Sequence, residues 1–282
     1  MRFKVYSTLS YEVTSKTIFI FNIQAAKSTS QIVISEILNV TPDLKFEEFK
    51  LQNSETRFVK IEVEKGTFFT ISYEAEIDVL STVVNQESLS KSQSIIDLDH
   101  EVLPYINPSR YCESDKLLDF AIQEFGHLLN EFAKVKAINE WIFKSINYRT
   151  GATNSSVSAY DILQSKEGVC KDFAHLGIAL CRALDIPARY FTGYAYALNP
   201  PDFHACFEAY IAGKWIFFDP TKLSIHNGLV KIANGIDASE VAVASYFGEA
   251  NCTFMKIECN PVSSHFIPFD VDSGREEAIS YD

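Results

Sequence analysis

The chain has 282 residues, of which 47% are hydrophobic and 22% charged, a globular composition long enough for one large domain or two medium ones. Twenty-five basic against 37 acidic residues give a formal net charge of −12, and this acidic balance argues against a nucleic-acid partner. The six cysteines include no Cys-x-x-Cys pair, which disfavours a structural zinc site, and they are too few in a chain of this length for a disulfide scaffold.

The amino-terminal residues MRFKVYSTLSYEV alternate polar and apolar side chains and contain no apolar run of the kind found in secretory signal peptides. No stretch of the chain approaches the ~18 apolar residues of a membrane span. We therefore expect a cytoplasmic protein without a membrane partner, in which the thiols stay reduced. The sequence carries no indication of the oligomeric state.

Residues 1–105 show the period of two that is typical of β-strands, with apolar residues of one parity in segments 3–13, 59–63 and 69–79. Lys65-Gly66 lies between the last two segments, and as a turn signal it predicts that they form a hairpin. Several such strands predict a sandwich-like domain or a small barrel. The region contains no chemical motif, so we expect a structural or docking role for it.

After Leu103-Pro104 the apolar period changes to 3.6, which indicates helices. The pattern predicts four helices and then three strands, over about 114–126, 132–146, 158–164, 170–184, 189–196, 205–211 and 215–218. Helices followed by strands, rather than strict alternation, favour an α+β architecture. The tail over 270–282 is acidic and poor in large apolar residues, so we expect it to be loosely ordered.

Cys170 follows Gly168-Val169 and stands at the start of a predicted helix. Unpaired backbone N–H groups and the helix dipole favour an anion there, which raises the thiolate fraction of a cysteine. The same N–H groups can stabilise an oxyanion, and Gly168 leaves room for a substrate backbone. Since most free cysteines are buried and inert, this position alone does not establish catalysis.

A thiolate nucleophile needs a base, and the base needs a group that orients it. His175 lies five residues after Cys170 in the same helix and is turned from it by about 140°, so we expect it to be structural. His204 is better placed, because it begins the predicted strand 205–211.

That strand turns near residues 212–214 and returns as a second strand that ends in Asp219-Pro220. For each possible two-residue loop, Asp219 faces residue 204, 206 or 208, all on the same side of the sheet as His204. A longer loop would shift this register. With a two-residue loop, the pattern predicts a set of nucleophile, base and orienting carboxylate made of Cys170, His204 and Asp219.

At these residues the sequence resembles the transglutaminase-like superfamily, in its bacterial branch with an added N-terminal β domain. The resemblance is strong over about 100–250 and only architectural over 1–100. The matching motifs are Tyr148-Arg149-Thr150-Gly151-Ala152-Thr153, Gly168-Val169-Cys170-Lys171-Asp172-Phe173-Ala174-His175, His204-Ala205 and Phe218-Asp219-Pro220-Thr221. The segment 185–194 and the junction 103–111 are also similar.

The resemblance implies an α+β fold in which an all-β, sandwich-like domain over 1–105 precedes a transglutaminase-like catalytic domain over 106–282. That second domain would be papain-like, with helices packed on an antiparallel sheet. Cys170 would be the nucleophile, His204 the general base and then acid, and Asp219 the orienting residue. The implied chemistry is acyl transfer from a protein or peptide amide substrate through a thioester, with no cofactor and no metal.

Water is the default acceptor of the acyl group, and no residue pattern indicates a dedicated amine site, so we expect a peptidase or amidase. Three alternatives stay open: a protein-crosslinking transglutaminase, a non-catalytic binding or scaffold module that retains the fold, and a metal site built from Cys170, His204 and Asp219.

The sequence departs from the family pattern at two positions. Cys206 and Ile236 replace the usual tryptophan and arginine, and we expect both near the cleft, where they bear on substrate choice. Tyr148 and Tyr160 are candidates for a second oxyanion donor.

Overall fold

The computed structural model describes residues 1–51, 54–92, 94–269 and 277–282. It confirms the predicted α+β class, because antiparallel sheets and a group of helices occupy separate stretches of the chain. The strands of the first part are β1 (Arg2–Val13), β2 (Thr17–Phe21), β3 (Gln31–Thr41), β4 (Phe46–Lys50), β5 (Arg57–Val63), β6 (Phe68–Val79) and β7 (Thr82–Asn85).

The four helices and three strands predicted for the second part occur in the predicted order, and among the residues it describes the structure adds a fifth helix and six further strands that were not predicted. The helices are α1 (Leu118–Phe125), α2 (Glu131–Ser145), α3 (Ala159–Ser165), α4 (Cys170–Ala183) and α5 (Ala238–Val241). The strands are β8 (Asn147–Tyr148), β9 (Glu167–Gly168), β10 (Ala188–Ala195), β11 (Phe203–Ile211), β12 (Lys214–Phe218), β13 (Leu229–Gly235), β14 (Ala244–Phe247), β15 (Ala250–Pro261) and β16 (Glu277–Ser280).

The predicted sandwich consists of two four-stranded antiparallel sheets, in the orders β15-β1-β6-β3 and β14-β2-β5-β4. Aromatic contacts join the two sheets across the interior. The Tyr11 ring of β1 lies 5.0 Å, centroid to centroid, from the Phe19 ring of β2 and 5.7 Å from the Phe21 ring of the same strand. Alternate residues of β1, β2, β5 and β6 point inward and form a continuous apolar core.

The predicted hairpin at Lys65-Gly66 is wrong, because β5 pairs with β2 and β4 whereas β6 pairs with β1 and β3. The turn crosses between the sheets instead. The Gly66 N–H donates to the Val13 carbonyl at 2.8 Å, and Gly66 has a φ of +80°, which favours glycine. β5 and β6 both bury mainly their odd-numbered side chains, although they belong to different sheets. The alternation of apolar residues is therefore the same for a hairpin and for an arch, a turn that crosses from one sheet to the other.

The helices agree with the prediction except at the start of the first one. Ser114–Lys116 forms a 3₁₀ turn and Ser114 is buried, so α1 begins at Leu118. Asn130 caps α2, where its Oδ1 accepts the Ala133 N–H at 2.9 Å. None of the described helices is both long and apolar enough to cross a membrane.

The third large sheet, in the order β12-β11-β10-β13, carries α4 on one face. Helix and sheet approach closely at Gly177, where an added Cβ would lie 2.6 Å from the Phe207 ring. A larger residue at this position would push α4 away from β11. The packing therefore fixes the height of the α4 N-terminus over the sheet.

Strands from the end of the chain return to the β-rich part. β14 pairs with β2, β15 pairs with β1, and β16 pairs with β7. The division into domains 1–105 and 106–282 stays a prediction, and the sandwich includes strands that lie beyond residue 244. The tail over 270–282 was predicted to be loosely ordered. Residues 270–276 lie outside the described part of the chain, and for 277–282 the prediction is wrong. There Tyr281 is buried, and its hydroxyl donates to the His226 carbonyl at 2.6 Å.

His175 lies in the core of the second part, which agrees with its predicted structural role. Its ring stacks between those of Tyr111 and Tyr190, at centroid distances of 5.0 and 4.9 Å. Its Nε2 accepts the backbone N–H of Ala238 at 3.2 Å. Burial lowers the pKa of His175 to about 3, and the nearby Asp237 carboxylate only partly offsets that effect.

We predict that His175 makes the protein acid-sensitive. Below pH ~6.5 the unfolded chain binds a proton at this residue that the folded chain does not bind until about pH 3, so stability falls by up to ~1.4 kcal/mol per pH unit. His175→Phe keeps the ring stack and removes the proton, and should flatten the decline. Urea unfolding from pH 7 to 4.5 measures the slope, with the exposed His127→Phe as the matched control. Identical slopes in both variants would contradict the prediction.

Candidate active site

Cys170 is the first residue of α4 and is half-buried. The carboxylate of Asp172 fixes the turn that precedes it. Asp172 Oδ2 accepts the Val169 N–H at 2.9 Å and the Thr153 hydroxyl at 2.7 Å, and Oδ1 accepts Lys171 Nζ at 2.8 Å. These bonds tie the loop that contains Thr153 to the helix start, and so hold the Cys170 side chain in place.

Gly168 is required by the same close packing. A Cβ on Gly168 would lie 2.8 Å from the Asp172 Cβ, closer than real Cβ atoms approach. Gly168 also pairs with Tyr148, because β8 and β9 run parallel there. The predicted role of Gly168 in a sharp turn is therefore joined by a packing role.

His204 and Asp219 are both buried, and His204 Nε2 lies 2.8 Å from Asp219 Oδ2. The hairpin that carries them pairs Ile211 with Lys214 and so has the two-residue loop Ala212-Gly213, with φ values of +50° and +80°. Of the three registers considered from the sequence, the one that sets Asp219 opposite residue 206 is realised. Asp219 therefore reaches His204 diagonally.

Both carboxylate oxygens of Asp219 are held by further donors. Oδ1 accepts the N–H and the hydroxyl of Thr221 at 2.9 and 2.6 Å. Oδ2 accepts the N–H and the hydroxyl of Ser224 at 3.0 and 2.6 Å. Burial alone would raise the pKa of Asp219, but His204 and these donors hold it well below its usual range. Asp219 is therefore ionised and rigid.

The His204 ring contacts thiols as well as the carboxylate. The side chains of Cys170 and Cys206 both lie beside the ring. Burial disfavours the imidazolium, whereas the Asp219 carboxylate and its hydrogen bond favour it, and the net result is a pKa of His204 well above its ordinary value. The structure thus brings together the three residues predicted from the sequence, Cys170, His204 and Asp219.

Cys206 occupies the centre of this cluster. It is fully buried, and burial raises the pKa of its thiol to about 12, so it is protonated at neutral pH. The ligand atoms of His204, Cys206 and Asp219 all lie within 4.8 Å of one another, a grouping that could hold a metal ion. A metal ligand taken from Asp219 would have to displace existing donors, because both its oxygens are already engaged. The arrangement therefore fits an acid–base pair better than a metal centre.

The two tyrosines named as oxyanion donors lie in different places. The Tyr148 hydroxyl lies beside the backbone N–H of Cys170, and burial together with the neighbouring Cys170 raises the pKa of Tyr148 to about 12. Tyr160 lies beside Lys116, with Nζ 5.5 Å from the ring centroid, and its N–H donates to Glu113 Oε2 at 3.3 Å. Tyr148 is therefore the candidate that contacts the nucleophile's own residue.

Several supporting residues are absent from the sequence-based prediction. Asp172 carries a usable signal, since an acidic residue three positions after Val169 is typical of a helix cap. Thr221 stands in the matching motif Phe218-Asp219-Pro220-Thr221 but was given no role. Ser224 carries no signal, because it reaches Asp219 only through the turn that follows β12. The backbone of Ile236 makes two hydrogen bonds. Its carbonyl accepts Arg182 Nη2 at 2.7 Å, and its N–H donates to the carboxylate of Glu240.

Comparisons with known proteins agree with this geometry. The profile described as transglutaminase-like superfamily matches residues 121–220, and that of the bacterial transglutaminase N-terminal domain matches residues 1–101. A crystal structure of a "putative cysteine protease" from Cytophaga hutchinsonii is 50% identical, with a TM-score of 0.97, and the match covers 100% of this chain and 98% of that one.

Two mycobacterial proteins described as uncharacterized are more distant. The one from Mycobacterium leprae is 28% identical over 182 residues, which are 57% of this chain and 64% of that protein. The one from Mycobacterium tuberculosis is 43% identical over 60 residues, 21% of this chain and 19% of that protein. The match therefore spans less than two thirds of either of these curated relatives.

Proposed function

The chain belongs to the transglutaminase-like superfamily, and from the geometry of its site we propose that it is a cysteine-dependent acyl-transfer enzyme that hydrolyses peptide or amide bonds. The observation that carries the proposal is the 2.8 Å contact between His204 Nε2 and Asp219 Oδ2, beside a cysteine at a helix N-terminus. It leaves His204 Nδ1 to exchange a proton with the thiol of Cys170.

In the first half of the reaction, His204 takes the proton of Cys170 and the sulfur attacks the amide carbonyl carbon. The carbonyl oxygen becomes an oxyanion, and its collapse breaks the carbon–nitrogen bond. His204 gives its proton to the departing amine, and a thioester on Cys170 remains. Asp219 keeps the imidazole in the required tautomer and stabilises the imidazolium throughout.

In the second half, His204 takes a proton from water, and the resulting hydroxide attacks the thioester carbonyl. The carbon–sulfur bond breaks, the acid product leaves, and the proton returns to the Cys170 sulfur. A primary amine in place of water would give a new amide, which is the reaction of a crosslinking transglutaminase. A thiol nucleophile has to stay reduced, which is consistent with the predicted cytoplasmic location.

The backbone N–H of Cys170 and the Tyr148 hydroxyl form the oxyanion site in this proposal, since the hydroxyl lies beside that N–H and both groups can donate to a developing oxyanion. We predict that Tyr148→Phe lowers kcat about 10²-fold with little change in KM, because the lost donor acts in the transition state. Steady-state kinetics measure the effect, with Tyr160→Phe as the matched control. Equal effects of the two variants on kcat would contradict the assignment.

A library of peptide amides, incubated with wild type or Cys170→Ala and with or without a primary amine, tests the proposed reaction. Mass spectrometry distinguishes cleavage of the peptide backbone, deamidation of side chains and attachment of the amine. Products that need Cys170 and do not incorporate the amine support hydrolysis. Incorporation of the amine as the main product would instead establish a transglutaminase, and no Cys170-dependent product would contradict both.

A further inference from the structure

A cavity of about 330 Å³ opens directly beside the candidate nucleophile. One wall contains Cys170 and His204, and the opposite wall belongs to the β-sandwich. The sandwich residues that line it are Leu9 and Tyr11 of β1 and Cys252 and Met255 of β15. The two parts of the chain therefore share one cavity at the reacting thiol.

The strand pairing explains why the sandwich is open at this point. Leu9 pairs with Met255 and Tyr11 with Cys252, and a bulge between Ser10 and Tyr11 shifts the register there. β15 is the edge strand of its sheet, and the facing edge strand β14 is only four residues long. The apolar interior of the sandwich consequently continues past this short edge to Cys170.

Little charge is available to a ligand in this cavity. Besides the reacting pair Cys170 and His204, the charged side chains in its lining are Lys171 and Asp202. Lys171 Nζ is already paired with Asp172 Oδ1 at 2.8 Å, and Asp202 Oδ1 accepts the N–H of Phe203 at 2.7 Å. Burial raises the pKa of Asp202, which weakens its tendency to carry a charge. The remaining lining is mainly apolar and includes the small residues Ala238, Ala242 and Ala244.

We propose that the acyl donor carries an apolar side chain on the residue that supplies the scissile carbonyl, and that Leu9, Tyr11, Cys252 and Met255 of the sandwich select this side chain. The inference rests on the proposed function, since it names the substrate class of the same site. The cavity selects the acyl part of the substrate because that part forms the thioester with Cys170 in the first half of the reaction and leaves only in the second. The cavity volume is at the lower end for small-ligand sites and admits a side chain as large as leucine or phenylalanine.

Chloromethyl ketones of N-acetylated dipeptides test the inference without requiring turnover. They alkylate a cysteine and differ only in the side chain beside the reactive group. We expect the leucine and methionine reagents to label Cys170 at least about tenfold faster than the aspartate and lysine reagents, because apolar surface is buried and charge is excluded. Intact-protein and peptide mass spectrometry give the labelling rate and its position.

Two variants of one strand provide the matched comparison. Met255 lines the cavity, whereas its neighbour Phe254 does not, and both side chains are about half exposed, so either change to lysine leaves the core intact. Met255→Lys should slow the leucine reagent about tenfold and accelerate the aspartate reagent. Phe254→Lys should keep the wild-type preference.

The outcomes separate the inference from the proposed function. Fast labelling of Cys170 without side-chain preference, or identical profiles of the two lysine variants, overturns the inference and leaves amide hydrolysis intact. Selective labelling without any Cys170-dependent product from the amide library supports the cavity assignment and contradicts the hydrolase. No labelling of Cys170 by any reagent shows that the cavity does not admit an acyl group and overturns the inference.

Discussion

We expect Cys170→Ala to lower the rate of amide turnover at least about 10⁴-fold, because the sulfur forms the bond that divides the reaction into two easier steps. Alanine is well suited to the first turn of a helix and Cys170 is only half-buried, so the free energy of unfolding should change by less than about 1 kcal/mol. Initial rates on a peptide amide and urea unfolding measure the two quantities.

The matched control is Cys181→Ala, the same substitution in the same helix. Cys181 is fully buried and lies eleven residues from the nucleophile, so its truncation should cost stability and leave turnover per folded molecule unchanged. Turnover by Cys170→Ala within about tenfold of wild type would contradict a nucleophilic role, since no other group could replace the sulfur at that rate.

Alkylation of the wild-type protein provides a readout that needs no substrate. At neutral pH we expect iodoacetamide to label Cys170 about tenfold faster than Cys252, which is exposed but donates its S–H to the Phe254 carbonyl at 3.6 Å. His204→Ala should remove this difference, because it removes the base within reach of Cys170. Equal labelling of the two cysteines in the wild type would favour the non-catalytic module.

Most of the candidate site was accessible from the sequence because its geometry is local. The start of α4 follows from the apolar period and from Gly168, and it places Cys170 at a helix N-terminus. The relation of His204 to Asp219 follows from a short hairpin, in which the parity of the strands limits the possible registers. The same parity set Cys206 on the face of His204, where the structure has it.

What the sequence did not predict depends on contacts between distant segments. β15 pairs with β1 although about 240 residues separate them along the chain, and a local period carries no information about such a partner. The arch at Gly66 was taken for a hairpin for a related reason, since the turn signal is the same for both. The cavity beside Cys170 exists only because these pairings bring Met255 to it, so neither its presence nor its apolar wall could be inferred beforehand.

We expect Asp219→Asn to lower kcat about 10³-fold, with a much smaller change in KM. The asparagine oxygen can still accept one set of donors, those of Thr221 or those of Ser224. The amide nitrogen then faces either the Thr221 N–H or, at the other position, both the Ser224 N–H and His204 Nε2, which it holds in the wrong tautomer. Leaving a buried donor without its acceptor should also cost about 1–3 kcal/mol of stability, so kcat is expressed per folded molecule.

The pH profile distinguishes the loss of an orienting carboxylate from general damage to the fold. The Asp219 charge favours the imidazolium of His204 and contributes to its raised pKa, so Asp219→Asn lowers that pKa. The thiolate–imidazolium pair then loses its proton at a lower pH, and the alkaline limb of kcat/KM should move toward neutrality. Asp185→Asn makes the same chemical change just beyond the opposite end of α4, at an exposed residue with a φ of +60° that asparagine tolerates. Asp185→Asn should keep both the wild-type kcat and the wild-type position of the alkaline limb. An Asp219→Asn enzyme with an unmoved alkaline limb would show that His204 is not the group that Asp219 supports.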